Sequence, residues 1–373
     1  MATTFQEVNP EEARQNQRVE VTLGPLFHKQ GNQRPLMTRM LLHQPSEPMN
    51  YADRSNRSQI AALHPYAKSF ASQFGLKPTK IQIVNHGFNS TFKITTESET
   101  FALRINTHSI RTPENLNAEI AWTSQLVDTP VSAARPHPAL NGEYILHDTL
   151  PGHPRPLAAV CYHWLGGQRF PAKPSQNLYN SLALTTRFLH ENTPKLPANA
   201  NLPTLTDCCH DYEFRFTKPE HIKHYPLFQE IRDHANSTLT KLAKTNPPQI
   251  IHYDLHRSNL KREGNIVHVL DFDDCLIAPP LMDIAISFYY FRTKPELRDL
   301  EPEFWAAYGC HYSDYGLSER DFESLIAGRR LMLINEFVAI PLEFFQNILP
   351  AWVDRSVVDF NHFLSKGTFT FSK

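Results

Sequence analysis

Four polar residues stand at spacings that could carry phosphoryl transfer. Residues 251–259 read IHYDLHRSN, which places His252, Asp254 and Asn259 in a His-x-Asp-x-x-x-x-Asn pattern, and Asp271 opens the sequence DFDD further along the chain. When a phosphoryl group moves to an alcohol, one carboxylate accepts or orients the hydroxyl proton, while a second carboxylate and an amide oxygen hold Mg²⁺. The pattern predicts Asp254 as the catalytic carboxylate and Asn259 and Asp271 as magnesium ligands.

The segment between Asn259 and Asp271 has the sequence of a tight β-hairpin. Residues 260–262 and 266–270 would form its strands, and Glu263-Gly264-Asn265 supplies the turn. The hairpin would fold Asp271 back beside Asn259. We therefore expect two carboxylates and one carboxamide to converge on one site.

These residues resemble the aminoglycoside phosphotransferase and choline kinase superfamily. One part of the likeness is His256, two places after Asp254. The other is DFDD at 271–274 followed by PPLMDIA at 279–285. This second stretch is similar to the family's metal-binding Asp, short loop and Asp-led helix. No Ala-Pro-Glu segment or long activation loop follows, which favours a small-molecule kinase over a loop-regulated protein kinase.

The resemblance implies an α+β, bilobal, protein-kinase-like fold, in which a small antiparallel β-sheet lobe with one regulatory-type helix precedes a mainly helical lobe. It implies ATP and Mg²⁺ as cofactors and a catalytic loop ordered by His252. Asp273 would reach a second metal or the substrate, and His256 would contact phosphate or fill a polar niche. Asp283 would cap its helix or brace the loop.

The small lobe is predicted from the pattern before residue 110. A helix is expected over 60–74 with Gly75 as its cap, followed by strands at 81–84, 90–95 and 100–105. The turn between the first two strands would cover the nucleotide phosphates. Its candidate cofactor-binding residues are Gly87, Asn89 and Ser90.

A cation on the third strand must contact the phosphates, held by a carboxylate of the next helix. Arg104 is the candidate cation and Glu119 its partner, on a helix that begins with Thr112 as N-cap and Pro113 at its first position. The family commonly has Lys at this strand position, and Arg is not a neutral exchange. The alternatives are an active enzyme adapted to Arg, use of Lys93 from the neighbouring strand, a nucleotide-binding protein with little turnover, or a plain surface role for Arg104.

The large lobe would follow two more strands, at 143–148 and 157–164, and a hinge at Leu165-Gly166-Gly167. Trp164, with Tyr162 and His163, is expected beside the adenine. The hairpin is expected to be the only sheet of this lobe, and prolines at 295, 302, 341 and 350 would separate its helices. Those helices are predicted at 178–190, 227–242, 281–291, 303–308, 319–345 and 351–364; polar candidates for the acceptor pocket are Asp211, Glu213, Arg329 and Glu336.

Composition narrows the class of protein further. The 373 residues carry 37 basic and 38 acidic side chains, for a net charge of −1, which offers no electrostatic footprint for nucleic acid or an anionic membrane. The five cysteines form no Cys-x-x-Cys pair and no apolar run reaches the length of a membrane span, so we expect reduced thiols and a cytoplasmic location. The chain divides into a flexible extension at 1–57, a nucleotide-binding lobe at 58–165 and a catalytic lobe at 166–373.

The functional prediction is an ATP- and Mg²⁺-dependent kinase that phosphorylates a hydroxyl of a small molecule. An amino alcohol, a sugar, a homoserine-like metabolite or an aminoglycoside would each fit the resemblance, and the oligomeric state stays open. Two alternatives remain: a Ser/Thr protein kinase of the bacterial stress-response type, and a regulatory nucleotide-binding pseudokinase.

Overall fold

The structure is a computed structural model that describes residues 50–196, 201–214, 216, 223–339 and 343–372. Most of the predicted extension, residues 1–49, therefore lies outside the described residues. The remainder of that segment is structured: Tyr51–Asp53 forms a 3₁₀ turn with a fully buried Tyr51, and the first helix already begins at Asn56.

The small lobe is built on a five-stranded antiparallel sheet, and the three predicted strands at its start are present. The strands are β1 (Lys80–His86), β2 (Asn89–Thr95), β3 (Thr100–Asn106), β5 (Ile145–Asp148) and β6 (Leu157–His163). Their order across the sheet is β1-β2-β3-β6-β5, with every neighbouring pair antiparallel. Edge strand β1 carries a register shift between Ile83 and Asn85.

Helix α1 (Asn56–Gln73) covers one face of this sheet. Ser55 caps its first turn, and Gly75 ends it with φ of +73°, a left-handed conformation that glycine adopts without a Cβ clash. Leu63, Ala67 and Phe70 recur at helical spacing and are fully buried, so they anchor the helix on the sheet.

Helix α2 (Pro113–Gln125) lies between the sheet and the large lobe. Its start is as predicted: the Thr112 hydroxyl accepts from the N–H of Asn115, whose side chain accepts in return from the N–H of Thr112. This capping box fixes the register of the helix and thereby the position of Glu119, which is buried.

The large lobe is mainly helical, which confirms the predicted α+β class with two lobes. Helix α5 (Leu281–Phe291) is buried along almost its whole length and forms the centre of the lobe. In the described part of the chain, no helix is both long and apolar enough to cross a membrane. The helices are α3 (Gln176–Glu191), α4 (Tyr225–Thr245), α5 (Leu281–Phe291), α6 (Glu301–Tyr308), α7 (Glu319–Ala339) and α8 (Glu343–Lys366), with 3₁₀ turns at Arg257–Asn259, Pro295–Leu300 and Tyr312–Tyr315.

The expectation that the hairpin is the only sheet of the large lobe is wrong. Its strands β9 (Leu260–Glu263) and β10 (Ile266–Val269) are present, but β7 (Gln168–Arg169) and β4 (Ser132–Ala133) extend them to four strands. A second ladder pairs β8 (Gln249–Ile251) with β11 (Leu276–Ala278). These added strands have two or three residues, too few to show the alternation that identifies a strand in a sequence.

The two C-terminal helices divide differently from the prediction. Helix α8 (Glu343–Lys366) is continuous across the break predicted between 345 and 351, and it contains Pro350. Residues 340–342, which follow the last described residue of α7 and include the predicted breaker at position 341, lie outside the described residues. A proline removes one backbone hydrogen bond from a helix interior without always ending the helix. Pro302, in contrast, lies at the start of α6 as predicted.

Candidate active site

The predicted catalytic loop, residues 252–259 between β8 and β9, is held by one buried carboxylate from α5. Asp283 accepts from the N–H of Tyr253 at 2.6 Å and from the N–H of His252 at 3.0 Å. Tyr253 has φ of +64°, in the left-handed region, so the chain turns back at this point. Asp283 therefore braces the loop, in the role expected for it, and Asp254 follows from a fixed backbone.

Both carboxylate oxygens of Asp254 accept from buried donors. Oδ2 accepts from Nδ2 of Asn259 at 2.8 Å and from Nε2 of His256 at 3.1 Å, while Oδ1 accepts from Nη2 of Arg329 at 2.5 Å. Burial alone would raise the pKa of Asp254, but His256 and Arg329 outweigh it and hold that pKa well below its usual value. Asp254 is thus a fixed carboxylate ion.

The predicted metal-binding loop at 271–274, called the metal loop below, follows the predicted hairpin. Gly264 turns the chain with φ of +59°, and the N–H of Leu270 donates to the carbonyl of Asn259 at 2.8 Å. This bond places Asp271 next to Asn259, as the sequence predicted. Asp271 itself has φ of +62°, an unfavourable conformation for a residue with a Cβ, which directs its carboxylate into the cleft.

Arg104 reaches across the cleft to this loop. Its guanidinium forms a two-pronged ion pair with Glu119, in which Nη1 lies 2.9 Å from Oε1, and Nη1 also lies 2.8 Å from Oδ1 of Asp271. The same Nη1 lies 3.8 Å from Oδ2 of Asp273. Glu119 is therefore paired with Arg104, whereas Lys93 lies elsewhere, with Nζ 4.6 Å from the ring centre of Trp164.

The two aspartates of the metal loop differ in electrostatic environment. Burial and the neighbouring Asp273 raise the pKa of Asp271. Burial would also raise the pKa of Asp273, but Arg104 and Arg111 outweigh it and lower that pKa. Asp273 Oδ2 accepts from Nδ2 of Asn89 at 2.9 Å, while its buried Oδ1 has no partner among the described residues.

His252 is a buried support of the loop and does not line the cleft. Its Nε2 donates to the carbonyl of Leu270 at 3.0 Å, its ring packs on Phe272, and burial lowers its pKa. Since the N–H of Asp254 donates to Nδ1, the ring connects the catalytic loop to the metal loop. This position fits the ordering role expected for His252.

A cleft of about 360 Å³ separates the two lobes and is lined by most of the predicted nucleotide-binding residues. Gly87 and Ser90 do not line it: Ser90 is fully buried and its hydroxyl contacts Nδ1 of His86 at 2.8 Å. The phosphate-covering turn therefore presents Asn89 to the cleft, and not the glycine. Predicted residues on the cleft wall are Asn89, Arg104, Glu119, Tyr162, His163, Trp164, Asn259 and Asp271.

Sequence reasoning missed Arg111, which links three distant segments. Its Nε lies 2.6 Å from Oδ1 of Asp274, and its Nη1 and Nη2 lie 2.8 and 3.0 Å from the two oxygens of Asp211. The partners are 100 and 163 residues away in the chain, so no local pattern could reveal them. Arg111 ties the small lobe to the metal loop and to the region of Asp211.

The predicted acceptor-pocket residues separate into different environments. Glu213 is exposed, Asp211 is paired with Arg111, and Arg329 is paired with Asp254. Glu336 is 3 % exposed, and its Oε2 has no partner among the described residues. Arg329 and Glu336 are seven residues apart on α7, so they share one face of that helix.

Burial and the nearby Asp211 carboxylate raise the pKa of Glu336 to about 8. Three carboxylates, those of Asp211, Asp274 and Glu336, thus interact with the single guanidinium of Arg111. A cation bound beside Glu336 would stabilise its ionised form.

Comparisons with known proteins agree with this geometry. The sequence model of the family described as "Phosphotransferase enzyme family" matches residues 80–322. An uncharacterized protein of Deinococcus radiodurans is 23 % identical over 337 residues, covering 82 % of this chain and 95 % of its own. The amicoumacin kinase of Bacillus subtilis is 22 % identical over 223 residues, 59 % of this chain and 65 % of its own.

Solved structures with the same fold include two small-molecule kinases. A microcompartment-associated aminopropanol kinase superposes with a TM-score of 0.64 at 17 % identity, covering 83 % of this chain and 99 % of its own. An amicoumacin kinase in complex with AMP-PNP and Ca²⁺ superposes with a TM-score of 0.60 at 15 % identity, covering 81 % and 96 %. These likenesses extend over both lobes.

Proposed function

Because this chain belongs to the phosphotransferase enzyme family, we propose that it transfers the γ-phosphoryl group of ATP, with Mg²⁺, to a hydroxyl of a small molecule that carries an amine. The observation that carries the proposal is the convergence of Asp254, Asn259 and Asp271 opposite Arg104. Phosphoryl transfer depends mainly on positioning and on neutralising the phosphate oxygens, and this group of side chains supplies both.

The residues present fit a magnesium site. Asn259, Asp271 and Asp273 offer amide and carboxylate oxygens, the ligands that Mg²⁺ prefers, and Oδ1 of Asp273 is a buried oxygen without a hydrogen-bond partner. Nδ2 of Asn259 donates to Asp254, so the side-chain oxygen Oδ1 of Asn259 remains for a metal. When bound, the ion would neutralise charge on the phosphate oxygens.

Arg104 is the proposed phosphate cation. It is held by Glu119, and its buried Nε has no partner among the described residues, so a donor remains for a phosphate oxygen. Arginine forms such charge-assisted bonds as well as lysine does, with a different geometry. The aromatic ring of Trp164 and the small side chain of Ala102 would border the adenine at the other end of the cleft.

Asp254 would orient the acceptor hydroxyl instead of acting as a strong base. Its low pKa makes it a poor proton acceptor early in the reaction. The transition state of phosphoryl transfer is largely dissociative, so an early proton transfer is not required. A fixed carboxylate that accepts the hydroxyl hydrogen bond fits that requirement.

The amine is inferred from Glu336. Burial and the neighbouring Asp211 make the Glu336 carboxyl difficult to ionise, and an ammonium group on the acceptor would stabilise its ionised form. The name of the aminopropanol kinase describes an amino alcohol acceptor, which supports the same class here. A sugar without an amine would offer Glu336 no such partner.

The test is ADP release from Mg·ATP with matched acceptor pairs: aminopropanol against propanediol, and ethanolamine against ethylene glycol. Acceptor-stimulated release is expected with the amines, and Glu336→Gln is expected to raise the KM of the amine while leaving that of the diol unchanged. Asp254→Asn, which retains the shape of the side chain, should lower kcat by at least roughly 100-fold.

Equal ADP release with the amine and the diol of each pair would refute the inference that the acceptor carries an amine. Phosphate appearing on protein serine or threonine instead would favour the protein kinase alternative. Thermal stabilisation by Mg·ATP without turnover on any acceptor would favour the pseudokinase alternative.

A further inference from the structure

Arg329 reaches the catalytic carboxylate from beneath the loop. Its side chain is 1 % exposed, and Nη2 lies 2.5 Å from Oδ1 of Asp254 and 3.1 Å from the hydroxyl of Tyr290. The guanidinium also lies 5.5 Å from the ring centres of Tyr253 and Tyr290. Two aromatic faces and a carboxylate thus fix the arginine in one place.

The donors around Asp254 approach from two sides. His256 and Asn259, both from the catalytic loop, donate to Oδ2, whereas Arg329 comes from α7 and donates to Oδ1. A carboxylate held at one oxygen can still rotate, but one held at both oxygens by separate segments cannot. Among the described residues Arg329 is the one side-chain donor to Oδ1, so a lone pair of that oxygen remains for an incoming hydroxyl.

We propose that Arg329 is a positioning residue for phosphoryl transfer, which fixes the Asp254 carboxylate in the orientation that receives the acceptor hydroxyl. The proposal rests on the function proposed above, because it takes Asp254 as the group that orients the acceptor. Arg329 is expected to act on kcat, since Asp254 acts on the reacting hydroxyl. It should have little effect on nucleotide affinity, because it does not line the interlobe cleft.

The chain offers a matched control in the next residue. Arg330 is also buried on α7 and also paired, with Asp359 at 3.3 Å, Ser356 at 2.8 Å and the Tyr289 hydroxyl at 3.1 Å. Those bonds hold α7 to α8 and α5 and do not involve the catalytic loop. Removing either guanidinium breaks a buried ion pair, but only Arg329 contacts Asp254.

The experiment compares Arg329→Met, Arg329→Lys and Arg330→Met with the wild type, at a temperature where melting curves show each protein to be folded. For each variant, kcat, the KM of the acceptor and the Kd of Mg·ATP are measured. Arg329→Met should lower kcat by roughly 100-fold with the Kd of Mg·ATP within about threefold, and Arg329→Lys should lower kcat by about tenfold. Arg330→Met should keep kcat within about threefold of the wild type although its melting temperature falls.

Added guanidinium ion supplies a further readout. Millimolar guanidinium should restore part of the kcat of Arg329→Met, since it can occupy the vacated space beside Asp254, and should not raise that of Arg330→Met. A kcat for Arg329→Met equal to that of Arg330→Met would overturn the proposal. If Arg329→Met does not fold, a wild-type kcat in Arg329→Lys would overturn it equally.

A wild-type protein without activity on any acceptor is a different outcome. It would refute the proposed function, and the role of Arg329 with it. If the wild type is active and Arg329→Met and Arg330→Met have the same kcat, only the positioning role of Arg329 would be refuted.

Discussion

Nη1 of Arg104 lies 2.8 Å from Oδ1 of Asp271, which joins a cation of the small lobe to a carboxylate of the metal loop. The same nitrogen donates to Glu119 at 2.9 Å. A planar guanidinium can donate to both carboxylates at once, whereas the ammonium group of lysine is a compact point charge on a shorter side chain. Arginine in place of the family's common lysine therefore creates a direct bond between the two lobes.

Arg104→Lys tests whether the enzyme depends on that geometry. The lysine cannot keep both the two-pronged pair with Glu119 and the bond to Asp271, so kcat/KM for Mg·ATP should fall by about 10- to 100-fold. Initial rates at varied Mg·ATP measure it. Lys93→Met is the comparison: loss of kcat in that variant, with full activity in Arg104→Lys, would make Lys93 the phosphate cation.

Asp271→Asn tests the metal site. The amide is a weaker magnesium ligand than a carboxylate, so Mg²⁺ should no longer tighten nucleotide binding by the factor seen in the wild type. Calorimetric titration with ATP, in the presence of Mg²⁺ and of EDTA, measures the factor for both proteins. An unchanged factor in Asp271→Asn would show that another residue holds the ion.

Glu336→Gln tests the buried carboxyl group through the pH dependence of stability. Burial raises the pKa of Glu336 to about 8, above its usual value, so between those two pH values the folded state binds more protons than the unfolded state. This group's contribution therefore makes the free energy of unfolding fall as pH rises through that window. Its size should be about 3 kcal/mol, allowing for some relaxation around the charge.

Urea unfolding at pH 5 and pH 9 measures the effect. Relative to the wild type, Glu336→Gln should be more stable at pH 9 than at pH 5. An identical pH dependence in the two proteins would contradict an ionisation of Glu336 in this range.

Arg111→Met tests the link between Asp211 and Asp274. Removing the guanidinium leaves two buried carboxylates without their cation, which should lower the free energy of unfolding by about 3–5 kcal/mol. Chemical unfolding of Arg111→Met, Asp211→Asn and the double variant completes a mutant cycle. The double variant should lose less than the sum of the single ones, and simple additivity would argue against a direct pair.

The catalytic hairpin and the start of α2 could be predicted because local rules determine them. The turn at Gly264 and the spacing from Asp254 to Asn259 act over a few residues, and Thr112 with Pro113 signals a helix start. The pairing of Arg104 with Glu119 followed from the requirement that a cation on the third strand be held by a carboxylate of the next helix.

Contacts between distant segments could not be predicted in this way. Arg329 was only one of several charged residues on a predicted helix, and its contact with Asp254 spans 75 residues. The same holds for Arg111. Their partners are determined by how the two lobes and the C-terminal helices pack, and a single sequence does not record that packing.

Helix α7 carries Arg329 and Glu336 on one face, two turns or about 10 Å apart along its axis. One end of this face contacts Asp254, the carboxylate proposed to orient the hydroxyl, and the other end carries Glu336, the residue proposed to bind the amine. If both proposals hold, substitutions at position 336 would change the acceptor that is selected without altering the residues around Asp254. One rigid helix would then keep the distance between the reacting group and the recognition group constant as acceptor specificity changes during evolution.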